Sequence, residues 1–198
     1  VHDSFLHVGG AEKVFYKFIE TYPDADVFVP LINKKYLDEI NQKTNGKLNI
    51  SWINKILFFN EKFFTNYSFT AIIASLLKPL LIIYWETLNL KKYDLIISSS
   101  HSFSSKSVNK KLSAKHISYI HTPPKYLYNE YNRMNWIKKF PFAILLWPTM
   151  FLLRKYDYYS AQKPDSLIAN SVVVQQRIKK YYKRNSDIIY ALFDIASH

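Results

Sequence analysis

The sequence predicts an α/β fold with a mostly parallel sheet, on three observations. Leu95-Ile96-Ile97 is a continuous apolar run of the kind buried on both faces of a parallel sheet. Short runs of strand-forming residues alternate with helical patterns along the chain, the signature of strand–helix–strand units. With 198 residues, 48% of them hydrophobic, the chain is long enough for one sizeable core and short for two, so residues 1–198 are read as a single domain.

Val1-His2-Asp3 opens without a methionine and reads as the last residues of a first strand whose start lies upstream. Gly9-Gly10 follow, two of the chain's three glycines, ahead of a helical pattern through Phe15, Phe18 and Ile19. Glycine lets backbone amides approach a ligand closely, and a helix beginning near Ala11 turns its positive end toward the same place, which suits a phosphate or a polar sugar. A structural turn would use the pair equally well. Neither the six-position dinucleotide fingerprint nor a P-loop is present. Asp24-Ala25-Asp26 has the spacing of a carboxylate metal clamp, but it precedes the short strand Val27-Phe28-Val29, the wrong end of a parallel sheet for ligands. A capping turn is expected there instead. Leu48 to Ile53 offers a third strand, entered through a turn at Gly46.

Tyr67 to Tyr84 is the most hydrophobic span, broken by Lys78-Pro79, and Phe140 to Leu153 carries Pro141 and Pro148. Both are expected to lie on the core or on a membrane surface and not to cross a bilayer.

Leu95-Ile96-Ile97 runs into Ser98-Ser99-Ser100-His101, a strand ending in small hydroxyls and a histidine. A basic connection, Lys106 to Lys115, leads to the strand His116 to Ile120, which delivers His121 to a loop where Pro123-Pro124 lack the amide hydrogens a sheet needs. Ligands of such sheets gather beyond the carboxyl ends of the strands, so His121 is a site candidate, the competing reading being a histidine that holds a turn. Asp165 to Ala169 forms another strand, and Asn170-Ser171 caps a helix through Val174, Ile178 and Tyr181 with Arg177, Lys179, Lys180, Lys183 and Arg184 outward. Asp187 to Tyr190 is the last strand.

The formal charge of +12 is unevenly spread: residues 1–100 hold 11 basic against 10 acidic side chains, and residues 101–198 hold 16 against 5. Such a field attracts phosphates on nucleotides, nucleic acids or anionic membranes. Nucleic acid is disfavoured as a partner, because the basic residues are dispersed and no RNA or DNA motif is present. With no cysteine there are neither disulfides nor thiolate metal sites, in keeping with a reducing compartment.

Five stretches in register carry a resemblance: Gly9-Gly10-Ala11-Glu12-Lys13-Val14, Tyr93 to His101, His116 to Pro123, Asp157 to Asp165, and Ile168-Ala169-Asn170-Ser171. Together they resemble family 4 glycosyltransferases, nearest the bacterial mannosyltransferase-like members that build surface polysaccharides. The resemblance implies the Rossmann-like amino-terminal half of a two-domain GT-B enzyme, the half that mainly receives the acceptor. The nucleotide sugar, such as GDP-mannose, is held in that family chiefly by a carboxyl-terminal half, which the 198 residues do not include. By position, His121 matches the histidine contacting the transferred sugar, and Gly9 and Gly10 match the loop over donor phosphates and acceptor. Ser100, His101 and Thr122 are expected to line the acceptor cleft, with Asn170 and Ser171 in its floor.

Retaining transfer of this kind passes through an oxocarbenium-like state while a diphosphate leaves. No metal and no cofactor are expected. Helix amino-termini and basic residues of the other half would stabilise the leaving group. The expected partners are a saccharide or lipid-linked saccharide acceptor and an anionic membrane surface. The expected location is the cytoplasm, peripheral on the inner face of the cell membrane. The competing class is a non-catalytic half-domain that binds a lipid-linked saccharide or a partner donor domain.

Overall fold

The computed structural model describes residues 1–57, 78–101, 105–128 and 143–191. Most of Tyr67 to Tyr84 and the first part of Phe140 to Leu153 lie outside them. The described elements are α1 (Gly10–Thr21), β1 (Val27–Val29), α2 (Lys34–Lys43), β2 (Leu48–Ile50), α3 (Trp52–Leu57), α4 (Lys78–Thr87), β3 (Leu95–Ser100), a 3-10 turn (Ser105–Ser107), β4 (Lys115–Ile120), α5 (Ala143–Ser160), β5 (Ser166–Ala169), α6 (Val172–Tyr182) and β6 (Asp187–Ile188). Every strand pairing is parallel, in two runs, β1-β2 and β3-β4-β5-β6. The fold is α/β and Rossmann-like.

The amino-terminal segment joins the two runs. His2 donates its amide to Phe28 O of β1 at 3.0 Å, while Ser99 of β3 donates to Val1 O at 2.9 Å, and His2 and Ser99 form a parallel bridge. Further along, Phe5 N donates to Leu31 O at 2.7 Å. The spatial order is therefore β2-β1-Val1 to Phe5-β3-β4-β5-β6. The chain leaves the central segment toward β1 and β2 and later returns to its other side with β3, so a topological switch point lies between residues 1–5 and β3.

Local chemistry accounts for the helix ends. Gly9 is extended ahead of α1 and donates its amide to the Glu12 carboxylate at 2.9 Å, satisfying a group the helix itself cannot. Asn33 caps α2 through Lys35 N, and Ser171 caps α6 through Val174 N. Gly46, at φ +76, takes the left-handed turn into β2. One core cluster packs Phe15 and Ile19 of α1 and Ile40 of α2 onto Val27 and Val29, and another packs Val174, Ile178 and Tyr182 of α6 onto Ile120, Leu167 and Ala169. No helix of the described residues is long and apolar enough to cross a membrane.

Three sequence readings need correction. The strand expected from Leu48 to Ile53 stops at Ile50, because the Ser51 hydroxyl donates to Pro30 O and accepts Asn54 N, a capping pattern that starts a helix at Trp52. The last strand ends at Ile188 instead of Tyr190. The third concerns Lys106, read as part of a basic connection. It is fully buried, with its ammonium 2.5 Å from the equally buried Asp157 of α5, and the Tyr128 and Tyr182 hydroxyls donate to the same carboxylate at 2.8 and 3.3 Å.

A buried pair is weak support for stability as a whole, but removing one member strands the other. Lys106→Ala is expected to cost about 3–5 kcal/mol, and the double variant Lys106→Met with Asp157→Leu distinctly less. Urea unfolding midpoints measure both, and a double variant as damaged as the single one would contradict this account of the pair.

Candidate functional site at the switch point

The alternation of β3 sends Ser98 and Ser100 to one face and Ser99 to the other. On the α1 face, the Ser99 hydroxyl lies 3.0 Å from His2 Nδ1 and 2.9 Å from His121 Nε2. His2 stacks on Phe15 of α1, with ring centroids 4.3 Å apart, which ties the sheet centre to the helix that Gly9 begins. The His121 amide donates to Ser100 O at 2.8 Å and its ring packs edge-on against Tyr119. Tyr119 is itself anchored through its hydroxyl to Ile189 O at 2.8 Å. On the opposite face, the Ser98 hydroxyl lies 2.9 Å from His116 Nε2.

Between these groups sits Asp3, 2% exposed. Its carboxylate accepts the His101 amide at 2.8 Å, the Ser105 amide at 2.6 Å and the Ser100 hydroxyl at 3.4 Å. The His101 ring leans toward His2 with centroids 5.3 Å apart, and its Nε2 lies 3.4 Å from the Ser4 hydroxyl. His2, Glu12 and His101 each bring a possible ligand atom within 4.8 Å of the other two, among the described residues the one group that could hold a cation. Tetrahedral zinc sets its ligands about 3.3 Å apart, a tighter spacing than that bound guarantees.

The structure thus brings Gly9, Gly10, Ser100, His101 and His121 to the carboxyl edge of the sheet around the switch point. Thr122 follows His121, and its hydroxyl lies 3.4 Å from an Arg177 nitrogen of α6, so a cation read as outward-facing reaches this edge. Asn170 and Ser171 end β5 on the same edge; Ser171 donates its hydroxyl proton to Asn170 Oδ1 at 3.1 Å and caps α6. Sequence reasoning missed His2, Asp3, Ser99 and Glu12. Only the position of Asp3 at a strand end signalled it, and the Ser99 role rests on partners 97 and 22 residues away.

Two other features separate from this edge. Asp24 and Asp26 lie at the amino end of β1 and are bound to Lys47 and Lys92, with the Tyr93 hydroxyl also donating to Asp26. A cavity of about 390 Å³ opens at that same end, lined by Val1, Phe15, Ile19, Val27, Leu95 and Ile97 among others.

No known protein family, curated protein or solved structure matches this chain.

Burial holds the His121 imidazole down at about 4 and His116 down at about 3, and keeps His2 well below its ordinary value; the charge of His101 adds to the effect on His2 and His121. Between pH 6.5 and about 4, the unfolded chain binds a proton at position 121 that the folded chain refuses. Stability is therefore fully present above pH 6.5 and is lost as pH falls through that window. Asp157, pushed up by burial, acts with the opposite sign. Measured by urea unfolding, wild type should lose stability relative to His121→Gln by at most about 1.4 kcal/mol per pH unit on acidification from 6.5 to 4. A pH-independent difference between the two would contradict it.

Proposed function

We propose that the chain is the acceptor-side half of a retaining, nucleotide-sugar-dependent glycosyltransferase of GT-B architecture, transferring a mannosyl or related hexosyl group in surface polysaccharide synthesis. The observation that carries the reading is the convergence on one edge at the switch point of Gly9 at the start of α1, bonded to Glu12, and of His2 and His121, both within hydrogen-bond distance of Ser99. A backbone turn at a helix amino-terminus and an imidazole then flank one place where a polar sugar can sit.

The state of His121 limits its role. An imidazole held down at about 4 is neutral at pH 7 and a weak base, so it is poorly matched to general-base work. It serves as a directional hydrogen-bonding group for a sugar hydroxyl. Gly9 and Gly10 provide close backbone approach for the acceptor and donor phosphates, and His101, Ser100 and Thr122 line the acceptor side. With the acidic pair near β1 committed to lysines at the far edge, stabilisation of the leaving diphosphate falls to helix amino-termini and to the donor half. Lys179, Lys180 and Lys183 line one shallow depression on α6, and this cationic face supports a cytoplasmic protein seated peripherally on an anionic membrane.

The test uses the 198-residue chain, GDP-mannose and an alkyl mannoside. The chain alone should transfer no sugar, while the alkyl mannoside should perturb the NMR resonances of Gly9, Gly10, His101 and His121 together, and His121→Ala should abolish that response. Turnover by the isolated chain, or perturbation confined to other residues, would overturn the reading.

A further inference from the structure

We infer that Ser99 is a positioning residue whose single hydroxyl proton decides which nitrogen of His121 carries the hydrogen, leaving His121 Nδ1–H as the donor offered at the strand end. A serine hydroxyl has one proton to give and lone pairs with which to accept. Ser99 Oγ stands 3.0 Å from His2 Nδ1 and 2.9 Å from His121 Nε2, so with both rings neutral it donates to one imidazole and accepts from the other.

The choice is made at His2, not at His121. His2 is fully buried, and its Nε2 has no hydrogen-bond partner. Were the His2 proton on Nε2, a buried N–H would be orphaned; with the proton on Nδ1, only a lone pair is. Orphaned buried N–H groups are the rarer and costlier case. His2 therefore keeps its proton on Nδ1 and donates to Ser99 Oγ. The Ser99 proton then goes to His121 Nε2, and the His121 proton rests on Nδ1. This reverses the preference of a free neutral imidazole for Nε2–H.

The geometry around the relay agrees. The His2 ring is held by stacking on Phe15, and its backbone amide donates to Phe28 O of β1. His121 is 9% exposed, and Ser99 is the one side chain among the described residues to which its ring hydrogen-bonds, which leaves Nδ1 for a ligand. What that donor meets, a sugar oxygen able to accept, rests on the glycosyltransferase reading above; the tautomer does not.

Long-range ¹H–¹⁵N NMR at neutral pH on the labelled chain, without sugar, reads both rings directly. The expected result is a pyrrole-type Nδ1 and a pyridine-type Nε2 on His2 and on His121. In Ser99→Ala the His121 ratio of Nδ1–H to Nε2–H should fall about tenfold, the loss of one good hydrogen bond. Ser99→Thr should restore it, which a merely structural serine would not explain. A wild-type His121 protonated on Nε2, or a tautomer unmoved by Ser99→Ala in a folded chain, would overturn the inference. Should the alanine variant fail to fold, the wild-type and Ser99→Thr spectra decide alone. Failure of the glycosyltransferase reading looks different: the tautomer holds while the alkyl mannoside leaves the ring unperturbed.

Discussion

The arrangement at the carboxyl edge depends on one buried carboxylate. Asp3 lies in the central segment of the sheet, and its oxygens accept the amides that begin and end the link between β3 and the 3-10 turn, those of His101 and Ser105. Bonds to an ionised acceptor are about twice as strong as neutral ones, and in a site this dry a lost partner is not replaced by water. By closing that link, Asp3 fixes where His101 stands and where the chain turns toward Lys106. It is also the point at which the two parallel runs meet, so sheet continuity and site geometry share one anchor.

The two faces of the sheet divide the remaining work. On the α1 face, imidazoles and a serine hydroxyl run from His2 to His121, neutral because burial makes charging them costly. On the other face, charge is present but paired: Lys106 and Asp157 neutralise each other under the Tyr128 and Tyr182 hydroxyls, pinning α5 to the turn after β3. The strand ends are therefore tied by hydrogen bonding through Ser99 on one side and by ion pairing on the other.

Much of this was legible in the sequence. The strands could be read because β-branched and aromatic runs stop at prolines and hydroxyls, and His121 and Gly9 could be singled out because each stands where a regular element hands over to a turn. Lys106 could not be read correctly: a lysine among lysines looks solvated, and its partner lies 51 residues on. Trp52 looked like strand because aromatic bulk favours strands, whereas the helix there is set by Ser51 and Asn54 capping the turn and by Asn54 accepting Ile32 N. Asp3 was signalled only by its place at a strand end, and Ser99 and His2 were silent, because the meaning of all three lies in contacts across about a hundred residues.

Amide hydrogen exchange in wild type and Asp3→Asn tests the anchoring role of Asp3 most directly. Asparagine keeps the shape but gives up the charge and an accepting oxygen. Protection of the His101 and Ser105 amides should drop about tenfold or more, while Leu167 and Ala169 in β5 stay as protected as before. Unchanged protection at His101 and Ser105, or an even loss across the whole sheet, would contradict the account.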